Sequence, residues 1–102
     1  MSNPVANREL IAVSKDGERF KVVLSVGAPQ PGPHDSWICT TSTEGLPHRP
    51  VETHGADSLQ ALLLAIQTMR GQLEHFVKGG GKLYLPGDEA DGPMSVSDVF
   101  SD

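Results

Sequence analysis

The side chains best equipped for chemistry in this sequence are a single cysteine, Cys39, four histidines and a scattered set of carboxylates. Cys39 close to a histidine such as His54 would have the makings of a thiolate nucleophile and its base. Ser58 is the other nucleophile candidate, but it follows Asp57 at a helix start and no Gly-x-Ser-x-Gly elbow surrounds it, so helix initiation accounts for it better. His48 and His54 flank Glu52, with His34-Asp35 upstream, and a His/carboxylate metal site can be drawn from them. Neither a Cys-x-x-Cys nor a His-Glu-x-x-His spacing supports that site, and loop histidines of a small domain are usually solvated, so no metal ligand is assigned. Gly79-Gly80-Gly81-Lys82 invites comparison with a phosphate loop. Such a loop runs from a strand into a helix and ends in Lys-Ser/Thr, whereas this one leaves a helix for a strand. No pair of carboxylates is placed for acid–base work. The reading is therefore no catalytic residue, unknown ligand-binding residues and no cofactor.

The element that must position these groups is an amphipathic helix over Asp57–Lys78. Asp57 can accept from first-turn N–H groups and Gln60, three residues on, can reach back, an Asp variant of the capping box. Leu59, Leu62, Leu63, Ile66, Met69, Leu73 and Phe76 recur at steps of three and four, which predicts a buried stripe. Ala61, Leu64 and Ala65 widen it over the first turns, so the N-terminal half is expected to be the more deeply covered. Gly79-Gly80-Gly81 ends the helix. It cannot bury its own stripe, so the rest of the chain must supply a surface.

That surface reads as a sheet. Residues 1–7 are expected to be frayed. Arg8–Ser14 is a strand, Lys15-Asp16-Gly17-Glu18 a turn, and Arg19–Val26 the return strand, with Phe20, Val22, Leu24 and Val26 on one face. Gly27–Asp35, with three prolines and two glycines, reads as an extended loop. Ser36–Thr43 is a third strand with Trp37, Cys39 and Thr41 on one face and Ile38, Thr40 and Ser42 on the other. Pro50–Thr53 is a short fourth strand placed on an edge by its proline. Lys82–Leu85 is a last strand. The fold class is α+β: an antiparallel sheet of four to five strands with one long helix packed across one face.

The chain has 102 residues, enough for one core, so residues 1–86 are read as a single α+β domain and 87–102 as an acidic, partly ordered C-terminal tail. All 8 Lys and Arg fall before the tail, while Asp88, Glu89, Asp91, Asp98 and Asp102 account for the net charge of −5. No basic stripe exists for nucleic acid or an anionic membrane surface. The longest apolar run, Ala61–Ile66, is far short of a membrane span. One cysteine cannot form an internal disulfide, and a cytoplasmic location is expected. Cys39 reads foremost as a small buried hydrophobe and Trp37 as partly buried.

Trp37-Ile38-Cys39 on a strand, then Gly55-Ala56-Asp57-Ser58-Leu59-Gln60-Ala61-Leu62 opening a long helix, then the glycine run and Leu83, resembles a family of small bacterial proteins catalogued as a domain of unknown function. The resemblance spans about residues 8–93. It implies a strand-rich half followed by a helix in a bacterial cytoplasmic protein, and carries over no catalytic residue. Function is read as a non-enzymatic binding module, with a protein partner or a homodimer, including neutralisation of a basic protein. The alternative is a small enzyme or ligand-binding domain using Cys39 or the histidines at the sheet edge.

Overall fold

A computed structural model describes residues 4–100. Strands β1 (Pro4–Val13) and β2 (Arg19–Gly27) form a hairpin through the expected Asp16-Gly17 turn, and β3 (Gln30–Pro31), β4 (Trp37–Glu44) and β5 (Val51–Gly55) follow. Then come helix α1 (Ser58–Lys78), β6 (Lys82–Tyr84), a 3-10 turn at Glu89–Asp91 and the short helix α2 (Val96–Phe100). Every pairing among the strands is antiparallel. The fold is α+β, with one long helix packed against a six-stranded sheet rather than the four or five strands expected.

The sixth strand comes from the proline-rich stretch. Val26 pairs with Thr41 and Gln30 with Ile38, so β3 continues β2 along the same edge of β4 with the register offset by one residue. Gly27, Ala28 and Pro29 absorb the offset as a kink, and the buried Cys39 thiol lies against the Gly27 carbonyl oxygen at 3.4 Å. The prolines are tolerated because β3 is two residues long and pairs only with β4 among the described strands. Thr41 pairs with both Val26 and Val51, which places β5 on the far side of β4, at the edge expected for it. Strand β1 also begins earlier than expected, at Pro4, and among the described residues its first half lacks a partner on its outer side, since β6 pairs only with Ile11–Val13. Met1–Asn3 lie outside the described residues, so the fraying expected there is not addressed.

The alternation of β2 is as read. Val22, Leu24 and Val26 are buried on the face that carries α1, together with Leu10 and Ala12 of β1, Cys39, Thr41 and Thr43 of β4, and Leu83 of β6. Trp37 is half-buried. At the far end Phe20 meets Phe76 edge to face, ring centroids 5.9 Å apart.

Both helix ends form as the residues dictate. Asp57 Oδ1 accepts from the Gln60 N–H at 2.7 Å, and Gln60 Oε1 accepts from the Ala56 N–H at 2.6 Å. At the other end Gly81 N–H donates to the Phe76 carbonyl and Gly80 N–H to that of Val77, a Schellman arrangement in which Gly80 takes φ +105°.

The line of contact along α1 differs from the leucine stripe. Its buried residues are Ala61, Ala65, Met69 and Leu73, while Leu59 is 62% and Leu63 50% exposed. The cause is the closeness of the first turns to β5. A Cβ built on Gly55 would collide with the backbone of Ala61, so at this end the helix rests on the sheet through its smallest side chains. Alanines at steps of four take the contact line, and the leucines between them are rotated to its flanks. Each half of the helix buries two residues, so the N-terminal half is not the more deeply covered end that was expected.

Candidate functional site

The groups singled out for chemistry do not converge. Cys39 is fully buried under α1, and burial pushes its thiol above the ordinary value. His54 pairs with Ile38, whose side chain lies on the opposite face of β4 from Cys39, so the strand separates the two. His34 sits at the exposed tip of the β3–β4 connection, and His48 lies half-buried after Leu46. Ser58 opens the helix. Among the described residues, no three of His, Cys, Asp and Glu are grouped to hold a metal ion.

Two depressions are lined by polar groups. One, of about 270 Å³, is bordered by Asp88, Asp91 and Asp98. Asp98 is committed there as a cap: it accepts from the Ser95 N–H at 3.1 Å, and that bond with the Ser95 hydroxyl holds its carboxyl below the usual range. Glu89 nearby is held low by its own backbone N–H and by Arg19, with which it is paired. The other, of about 350 Å³, is lined by Ser42, Glu44, Leu46 and His48, but no hydrogen bond or ion pair joins the hydroxyl, carboxylate and imidazole to one another.

A third feature differs in kind. Ala6, Asn7 and Arg8 of β1, Leu24 and Val26 of β2, Ile66 and Met69 of α1, and Val99 and Phe100 of α2 enclose a groove of about 170 Å³ whose walls are mostly apolar, Asn7 and Arg8 being the polar members. Helix α1 rests chiefly on β4 and β5, and the groove opens between it, the β1–β2 hairpin and α2. The Arg8 guanidinium donates to the Val99 carbonyl at 2.8 Å, and Arg70 donates to Ser97 Oγ at 3.0 Å and pairs with Glu74 at 3.1 Å.

The exposed leucines belong to the same wall. Leu59, Leu63, Ile66 and Arg70 recur at steps of four, three and four, which stacks them on one flank of a helix. Ile66 lines the groove and Arg70 reaches α2, so this flank faces the groove and Leu59 and Leu63 prolong it towards the helix start. Val5, 61% exposed, stands next to Ala6 at the same end of the sheet. Among the described residues the exposed large hydrophobics are Val5, Leu59 and Leu63, two of them on this flank. Such a surface can bury apolar side chains of another molecule and offers two arginine side chains at its border. Arg8 and Arg70 carry no sequence signal that marks them for this place. The leucines did carry one: a helix start that is apolar on nearly every side cannot all be buried by a sheet lying on one side of it.

Among the described residues no helix is long and apolar enough to cross a membrane. A family model described as Domain of unknown function (DUF6968) matches residues 6–93, and the chain belongs to that family. No curated protein and no solved structure matches the chain.

Proposed function

Starting from that membership, we propose that the protein is a non-enzymatic binding module, bacterial and cytoplasmic, that engages another protein through the flank of α1 bearing Leu59 and Leu63. The observation that carries the reading is the exposure of those two leucines beside a mostly apolar groove, in a fold that keeps Cys39 and His54 on opposite faces of the sheet. The acidic residues from Asp88 onward, which carry the net charge of −5, favour a basic partner, and masking a basic toxin or nuclease is a role suited to an acidic protein of this size. A single buried thiol suits a reducing compartment. The competing reading, an enzyme or ligand-binding domain built on Cys39 or the histidines, has weaker support, because Cys39 is enclosed and faces away from His54. Self-association by strand pairing along β1 is opposed by Pro4, by the register shift between Pro4 and Ala6, and by Arg8 and Glu9, all features that blunt an edge.

The test is affinity capture from the native host with the wild-type chain and with the Leu59→Asp/Leu63→Asp variant. A stoichiometric protein recovered with the first and lost with the second, at equal melting temperature, supports the reading. Recovery of no stoichiometric partner, or of one that the variant holds equally well, overturns it.

A further inference from the structure

The groove already has a resident. Val99 is the one buried residue of α2, Phe100 lines the same walls, and Arg8 grips the Val99 carbonyl at 2.8 Å. Met94 and Val96 also pack against the core, Met94 N–H donates to the Leu83 carbonyl at 2.8 Å and Arg70 reaches Ser97, while the Ser95 and Asp98 bonds lie within the segment itself. A helix of 5 residues has too few internal hydrogen bonds to persist alone, so α2 owes its shape to the groove.

We propose that α2 is a displaceable resident of a peptide-binding groove, and that the partner supplies an apolar segment of the same chemistry. Its signature is an aliphatic and an aromatic side chain on consecutive residues of a helical turn, with a backbone carbonyl offered to Arg8. This rests on the binding-module reading and names the site and the partner's chemistry. The seated segment shows what the walls accept. The 170 Å³ left open beside Phe100, bordered by Ala6, Val26 and Ile66, admits a larger side chain than the resident places there. Leu59 and Leu63 extend the wall beyond it and offer apolar contact that α2 leaves exposed. A tethered resident competes at an effective concentration on the order of millimolar. Only a segment that also uses the open volume and the leucines outcompetes it, so the resident acts as a threshold against weak apolar binders.

The test titrates a fluorescent peptide with the sequence of residues 93–100, PMSVSDVF, against the full chain and against its Val99→Asp variant, read by anisotropy. The variant, with its own α2 expelled by a buried carboxylate, is expected to bind at least tenfold more tightly than wild type, while β2 and β4 amides keep their protection from hydrogen exchange. A folded variant that binds no more tightly overturns the proposal. If Val99→Asp does not fold, hydrogen exchange on the wild-type chain decides: α2 amides that exchange by local opening support the proposal, and α2 amides that exchange only with global unfolding overturn it. Unchanged peptide binding alongside partner capture that depends on Leu59 and Leu63 removes the displaceable resident and leaves the binding module standing. Tighter peptide binding with no captured partner does the converse.

Discussion

Two leucines ten residues apart on α1 should respond to the same substitution to very different degrees. Leu73 is fully buried against the sheet and Leu63 is 50% exposed. Leu73→Ala removes its transfer free energy and leaves a cavity in a core that relaxes only in part, a loss of roughly 2–5 kcal/mol. In a domain of about this size each kcal/mol moves Tm by about 4–8 °C, so Tm should fall by about 10 °C or more. Leu63→Ala removes a half-solvated side chain at a position where alanine is the better helix former, and its effect should stay within about 0.5 kcal/mol. Urea and thermal unfolding followed by circular dichroism, with unchanged m-values, measure both. Equal losses at the two positions, or a larger one at Leu63, would refute the contact line through Ala61, Ala65, Met69 and Leu73. A leucine whose removal costs nothing in the isolated chain is also one that binding can use.

Three further outcomes follow from the geometry. Gly55→Ala forces its methyl into the Ala61 backbone, which cannot rotate away as a side chain can, and should cost roughly 1–3 kcal/mol; a neutral result would mean that α1 does not rest on β5 at that distance. His34 and Asp35 hold φ of 57° and 58° at the centre of a tight turn closed by the Ser36 N–H on the Pro33 carbonyl at 3.1 Å. Asp35→Gly relieves left-handed strain and should raise stability by up to about 1 kcal/mol, net of the entropy glycine adds to the unfolded chain; a lower Tm would exclude the turn. The Cys39 thiol should resist native labelling, and since burial raises its pKa in the folded chain, the stability tied to it is complete below the ordinary thiol range and declines as pH rises through the folded value. Stoichiometric labelling of the folded chain would contradict its burial.

Where local chemistry decides structure, the residues could be read directly. The Asp57 and Gln60 cap, the Gly80 stop, the Asp16-Gly17 hairpin and the alternation of β2 are set by neighbours close in sequence. Strand β3 was hidden because prolines argue against a strand, and only the kink at Gly27 and the pairing to Ile38 make two residues sufficient. The position of the site was hidden for a different reason. Periodicity marks Leu59 and Leu63 as members of an apolar stripe, but which part of a wide stripe meets the sheet depends on the closest approach of two backbones. Gly55 and Ala61 set that approach from across the fold. Arg8 and Val99 are 91 residues apart, and no local pattern joins them.

The central claim is that the exposed flank of α1 is the surface by which this chain recognises another protein. Its most direct measurement is the hydrogen-exchange footprint of the complex recovered with the wild-type chain. The account predicts slowed exchange over residues 59–66 and over 5–8 of β1. Protection confined to the opposite face of the sheet, around Glu52, His54 and Lys82, with residues 59–66 exchanging as in the free protein, would contradict it.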